Sequence, residues 1–229
     1  MKLYKRESYK TKSEWLNARG IGGSSAAAIC NKSKWLTAND VYNELALKKR
    51  KKVVENERMI EGVQSESAIR LLFSLDYKDE YKVINPPSRA YWLFRRTDKE
   101  YITCTPDGLL TDLKTGKLGG LEIKNVEMIK RDIRSLWENN TLPDQYYFQC
   151  LHYFVAKPDI EFVCLFAHLK YFVHDDENDK WVFDHAVDKP YWIYKQDVIS
   201  HIEFLEKKET EFYENNIRAK RRPTIVISF

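Results

Sequence analysis

The period of the hydrophobic pattern changes near Tyr81, and that change restricts the chain to folds in which helices pack on a sheet. Before it, apolar residues recur at helical spacing. Thr11-Lys12-Ser13-Glu14 reads as a capping box that opens a short helix closed by Gly20. Gly22-Gly23-Ser24-Ser25 leads into a second short helix through Ala26 and Cys30, and a third begins near Thr37 and passes Val41, Tyr42 and Leu45. A fourth, from about Glu57 to Leu75, carries Met59, Val63, Ile69 and Phe73 as an apolar stripe. After Tyr81 the segments shorten and alternate. Tyr81–Ile84, Tyr91–Arg95, Tyr101–Cys104, Gly108–Leu113 and Leu121–Val126 read as strands separated by Pro- and Gly-containing turns. Helices return at Lys130–Glu138 and Asp144–Ala156, strands follow at Glu161–Val173 and Lys180–Phe183, and an amphipathic helix from Tyr191 to about Arg218 closes the chain. The expectation is an α/β fold, a central mixed β-sheet flanked by helices.

No repeat, low-complexity segment or Pro/Gly-rich linker interrupts this pattern, so residues 1–229 are expected to form a single domain with a short basic and apolar tail from about 218 to 229. Aromatic residues at 14% exclude disorder, and no apolar run approaches the about 18 residues of a membrane span. The first residues carry charges with no apolar stretch behind them, so no secretory signal is read and a cytoplasmic location is expected. Cys30, Cys104, Cys150 and Cys164 form no CxxC pair and read as reduced core thiols. The net charge of +4 is too small to identify a partner, although Lys48–Lys52 and Arg218–Arg222 are compact basic clusters.

Chemistry is concentrated in Thr105-Pro106-Asp107-Gly108 and, one strand and one turn later, Leu121-Glu122-Ile123-Lys124. Side chains alternate along a strand, so Glu122 and Lys124 share one face while Leu121 and Ile123 share the other. If the preceding strand is the hairpin partner, Asp107 approaches Glu122. Two neighbouring carboxylates repel unless a positive charge lies between them, and a divalent cation with oxygen ligands meets that need. The pattern points to metal-assisted phosphodiester hydrolysis, with an exposed hairpin bearing a surface Glu-Lys pair as the plain alternative. Glu66 falls within about 60° of the apolar stripe of its helix and needs a partner, either a metal with its water shell or Arg70 one turn on. Gln149, within an aromatic helix, needs hydrogen-bond partners if it is buried. A helix starting at Ser24-Ser25 offers free N–H groups, and Arg19 beside it could close a phosphate pocket.

These residues, in this order, resemble the PD-(D/E)XK nuclease superfamily, with Pro106-Asp107 and Glu122-Ile123-Lys124 as the signature of its restriction-endonuclease-like core. Trp15 to Ala27, Gly62 to Glu66, Thr105 to Gly108, Glu122 to Lys124 and Gln149 narrow the likeness to the YqaJ-type viral recombinase family, which includes the phage lambda exonuclease. The resemblance covers residues from about 10 to 215. It implies a magnesium-dependent exonuclease, with manganese as the substitute ion, that digests one strand of linear double-stranded DNA from its 5′ end. The 3′ overhang left behind would feed a single-strand annealing protein in phage recombination.

Carried over by position, Asp107, Glu122 and the backbone carbonyl of Ile123 would ligate two metal ions, with Glu66 supporting the second through water. Lys124 would activate the nucleophile and Gln149 would help position it. Arg19, Ser25 and Thr105 match positions that contact the terminal 5′-phosphate. The Arg19 to Ser25 spacing is one residue shorter than in the lambda enzyme, so Ser24 and Ser25 could exchange roles. The family also implies a homo-oligomer, a trimeric ring around DNA, encoded by phage or prophage and acting in the cytoplasm of a bacterial host. An endonuclease with the same core motif, and a non-catalytic DNA-binding protein, are the readings against which this one stands. The apolar end of the tail, Ile225 to Phe229, is expected to dock as a strand.

Overall fold

The structure, a computed structural model, describes residues 3–50, 57–138 and 141–224. The end of the first basic cluster, Lys51 and Lys52, the side chain of Met59 and the tail strand expected at Ile225 to Phe229 lie outside the described residues. Four helices come first: α1 (Lys12–Ala18), α2 (Gly23–Ile29), α3 (Ala38–Leu45) and α4 (Glu57–Asp76). The capping box of α1 forms in both directions between Thr11 and Glu14, and α3 has its own between Thr37 and Asp40.

The strands make two sheets. In the smaller, β1 (Tyr4–Tyr9), β3 (Tyr91–Arg96) and β4 (Thr103–Cys104) pair in the order β1-β3-β4. In the larger, β2 (Tyr81–Ile84), β5 (Gly108–Asp112), β6 (Leu118–Met128), β7 (Phe162–Asp175) and β8 (Lys180–Tyr194) follow the order β2-β5-β6-β7-β8. Every pair is antiparallel except β6 with β7, whose crossover contains α5 (Arg131–Glu138) and α6 (Asp144–Ala156). The expected α/β architecture with a mixed sheet flanked by helices is therefore what forms.

Each face of the large sheet has its own core. Leu110, Leu121, Ile123, Cys164 and Phe166 pack against Ile69 and Phe73 of α4. Val163, Leu165 and Ala167 pack against Cys150, Leu151 and Phe154 of α6. The cysteines are free thiols, with Cys30 half-buried and the other three buried. Among the described residues no helix is long and apolar enough to cross a membrane.

Three elements depart from the sequence reading. β1 is absent from the sequence reading: it is an edge strand whose Tyr4, Glu7 and Tyr9 are only half-buried, and the polar Lys5, Arg6 and Ser8 fill the positions between, so no apolar run marks it. The last strand extends to Tyr194, so Tyr191–Tyr194 is strand rather than the start of the final helix. Tyr191 and Ile193 are buried on the α6 side while Trp192 packs on the α4 side, an alternation that suits a strand better than a helix. Pro190 is accommodated because β8 is an edge strand. The final helix, α7 (Ile199–Phe212), then runs into a π-helical turn at Tyr213–Arg218. The third departure is in α4, where Ile69 and Phe73 are buried but Val63 is 74% exposed, because Val63 faces the two clefts while Glu61 and Ser65 of the same half bond to Lys170 of β7 and Asn125 of β6.

Candidate active site

The β5–β6 hairpin sets the geometry. Gly108 pairs with Leu121, so Asp107, one residue ahead of β5, stands beside Glu122 at the point where β5 begins and beyond which the edge of β6 is open. The backbone N–H of Ile123 donates to Asp107 Oδ2 at 2.8 Å. A residue's N–H and C=O leave an extended strand on the same side, so the Ile123 carbonyl also faces this open edge. Arg70 Nη1 donates to the Asp107 carbonyl at 2.7 Å and to Glu66 Oε1 at 2.9 Å, which ties α4 to the turn. Glu66 thus has Arg70 as its partner, and its side chain is half-buried rather than sealed in the core.

Glu122 is buried on the α6 face of the sheet and collects three donors. Lys124 Nζ and Gln149 Nε2 donate to Oε1, the latter at 2.5 Å, and the Tyr153 hydroxyl donates to Oε2. Gln149 and Tyr153 are one turn apart on α6 and so reach the same carboxylate. Lys124 Nζ also lies 5.0 Å from the centre of the Tyr146 ring. Gly23 is required for this approach: a Cβ there would stand 2.6 Å from Gln149 Cγ.

The electrostatics are unbalanced. Burial, and then the charges of Glu122 and Glu66, push Asp107 well above the usual carboxylate range, against the opposing effects of Lys124 and the Ile123 N–H. Burial alone would lower Lys124, but the charges of Glu122 and Asp107 outweigh it and keep the ammonium protonated. Among the described residues the side-chain hydrogen bond to Asp107 is made at Oδ2, and none is found at Oδ1. A further positive charge here would remove the conflict between the carboxylates. Among the described residues no trio of His, Cys, Asp or Glu side chains is arranged to hold an ion alone. The donor set, two carboxylates and a backbone carbonyl, is one of hard oxygens, which suits magnesium with retained waters and does not suit zinc.

Two clefts, of about 630 and 600 Å³, meet at this point and share Ser24, Val63, Glu66, Asp107 and Gln149 along their walls. The first contains Lys10, Lys12, Arg19, Arg89 and Thr105, the second Glu122, Lys124 and Tyr146. Arg19 lies in the first with its guanidinium 4.9 Å from the centre of the Trp15 ring and with no carboxylate in ion-pair contact among the described residues. Burial holds its pKa below the ordinary guanidinium value. The Thr105 hydroxyl accepts from Trp15 Nε1 and donates to the Trp92 carbonyl, each at 3.3 Å, so it anchors the indole under Arg19. Ser24 is exposed where the clefts join, whereas Ser25, half-buried, lines neither.

Asp107, Glu122, Lys124, Gln149 and Glu66 thus come together, and Arg19, Ser24 and Thr105 line the adjoining cleft. Arg70 is the partner that the sequence offers Glu66, whereas the contact of Tyr153 with Glu122 and that of Trp15 with Arg19 and Thr105 are not read from the sequence. Each of these two stands four residues from a candidate site residue, Gln149 and Arg19, so helical spacing is the available signal. A further buried contact supports the Arg19 cleft. His152 Nε2 donates to the Thr103 carbonyl at 2.8 Å, and the Gly20 N–H, next to Arg19, donates to the Thr103 hydroxyl at 3.0 Å.

A family model described as the YqaJ-like viral recombinase domain matches residues 14–156. No curated protein matches the chain. Among solved structures, the alkaline exonuclease LHK-Exo from Laribacter hongkongensis is similar at a TM-score of 0.59 and 15% identity, over 92% of this chain and 97% of that one. LHK-Exo in complex with dAMP gives 0.58 and 16%, with the same coverage. A phage-related exonuclease from Haemophilus somnus 129PT gives 0.53 and 14%, over 91% and 99%. At these identities the likeness establishes the shared fold.

Proposed function

Because the chain belongs to the family described as the YqaJ-like viral recombinase domain, we propose that it is a metal-dependent 5′-to-3′ exonuclease on linear double-stranded DNA, leaving 3′ single-stranded overhangs for recombination by strand annealing. The observation that carries this reading is the meeting of Asp107, Glu122 and Lys124 at the open edge of β6, at the junction of two clefts of which one is lined with cations. The similar folds of two named exonucleases add support, as does the complex of LHK-Exo with dAMP, a deoxymononucleotide of the kind such an enzyme releases.

Asp107, Glu122 and the Ile123 carbonyl are the donors that would hold Mg²⁺ or Mn²⁺, as two ions with Glu66 beside the second through water. When bound, the metal supplies charge stabilisation at the phosphodiester and a more acidic water. Lys124 keeps its proton at Nζ while Glu122 is its partner, and in that state it would orient a water by donating to it. Accepting a proton requires that the Glu122 charge be shared. Gln149 holds Glu122 and lines both clefts, a position from which it orients the same water. Arg19, with Ser24 and the Trp15–Thr105 pair, would bind the terminal 5′-phosphate and so start cleavage at an end. Residues 1–229 would act as one nuclease domain in a homo-oligomeric ring, with an annealing protein as partner in a bacterial cytoplasm.

The test uses linear duplexes with and without a 5′-phosphate and a covalently closed circle, each with Mg²⁺ or with chelator. The expected outcome is degradation of the phosphorylated linear duplex in Mg²⁺ alone, abolished by Asp107→Asn. Cutting of the closed circle would transfer the reading to an endonuclease, and no metal-dependent loss of any substrate would transfer it to a DNA-binding protein.

A further inference from the structure

The two clefts that meet at the carboxylates differ in chemistry. Lys10, Lys12, Arg19 and Arg89 are confined to the first, whereas the second has Lys124 as its one cation among the described residues, beside the apolar and aromatic Trp35, Leu36, Val63 and Tyr146. Trp35 is 71% exposed. Its indole makes no ring contact, cation contact or hydrogen bond with another described residue, so it has no packing role to explain it. The loop that carries it is nevertheless well fastened. The Trp35 and Leu36 N–H groups donate to Ser33 Oγ at 3.2 and 3.1 Å, the Lys34 N–H donates to Gln145 Oε1 at 3.3 Å, and Lys32 pairs with Asp144 at 2.8 Å. Asp144 and Gln145 open α6, the helix that one turn later delivers Gln149 to Glu122. The backbone that carries the indole is thus anchored to the start of α6, and the indole lies on the wall of the cleft that also contains Asp107 and Glu122.

A strand passing through both clefts would find its phosphates matched in the first and its bases in the second. A terminal base pair that is being opened loses its stacking, and an exposed aromatic surface replaces it for any base. We infer that Trp35 is the stacking surface for a nucleobase of the DNA entering the site along the Lys124 side. The inference rests on the nuclease reading and adds a base-binding subsite to it.

The full chain is tested on a 5′-phosphorylated linear duplex with 2-aminopurine near the 5′ end of the digested strand. Initial rates in Mg²⁺ give KM, and fluorescence in Ca²⁺ gives the stacking state. Trp35→Ala and Trp35→Leu are expected to raise KM about 10-fold and to lose the quenching of the bound 2-aminopurine, whereas Trp35→Phe retains both. Trp181→Ala, at an exposed tryptophan on β8 outside both clefts, is expected to behave as wild type. Wild-type KM and quenching in Trp35→Ala would overturn the inference, as would equal performance of Leu and Phe, because apolar contact would then suffice. A wild-type chain that leaves the duplex intact would instead overturn the nuclease reading, and the stacking role with it.

Discussion

Glu122 shows how one buried carboxylate can be both sustained and aimed. A charge so placed is tolerated only with donors on both oxygens, and Lys124, Gln149 and Tyr153 supply them. The alternation of Leu121-Glu122-Ile123-Lys124 is enough to put Glu122 and Lys124 on one face, and helical spacing links Gln149 to Tyr153. That those two groups meet was not legible, because it depends on α6 crossing β6. Tyr153 acts on Glu122 alone and is a positioning residue. Tyr153→Phe removes one charge-assisted hydrogen bond, worth about 1.5–3 kcal/mol. The expected result is a several-fold rise in the Mn²⁺ dissociation constant measured by calorimetry, because the Glu122 oxygen is no longer aimed. An unchanged constant would make the hydroxyl purely structural. At Glu66 the sequence left two partners open, metal shell or Arg70, and the direct contact found is with Arg70.

At the scale of elements, α6 organises the site from three positions, Gln149, His152 and Tyr153. Gln149 and Tyr153 face the sheet, while His152 joins α7 to β4 through Glu209 Oε1 at 2.6 Å and the Thr103 carbonyl. Burial acts to lower the His152 pKa, but the Glu209 charge and hydrogen bond, with the Thr103 carbonyl, outweigh it and raise it above 6.5, against a small opposing effect of Arg19. A group that binds its proton more tightly when folded adds stability below its unfolded pKa, and that stability disappears as pH rises through the folded value. The melting temperature is therefore expected to fall as pH rises from about 6.5, and His152→Gln should flatten that part of the profile. An equally steep profile in the variant would assign the dependence to other groups. The sequence marked α6 to its exact bounds, from Asp144 to Ala156, yet gave no sign that its one histidine is sealed between two acceptors.

The whole molecule divides its labour between two sheets. The large one positions the carboxylates, Asp107 just ahead of β5 and Glu122 on β6, and the small one, with α1 and the loop to α2, walls the cleft that contains Arg19. Binding of linear duplex is expected to weaken with salt, since each neutralised phosphate contributes about −0.9 to the slope of log K against log salt. Lys10→Ala and Arg89→Ala, each removing one cation from that cleft, should each reduce the slope by about 1 in a fluorescence-anisotropy titration. Slopes unchanged from wild type would place the DNA backbone elsewhere. The net charge of +4 has little bearing on this, because what a strand meets is the local arrangement of cations in one cleft and of acids at its end.

By itself the sequence determined what is local. The change of period near Tyr81, the capping box at Thr11, the helix start near Thr37, and the shared face of Glu122 and Lys124 follow from backbone geometry and neighbouring residues. The tertiary structure alone decided what depends on contacts between distant segments: that Asp107 receives the Ile123 N–H, that Tyr153 closes on Glu122, that Ser24 rather than Ser25 faces the clefts, and that Tyr191–Tyr194 continues a strand. Those outcomes depend on strand order and on which helix covers which face. They are set by the burial of whole elements against one another, and no short stretch of residues encodes that burial.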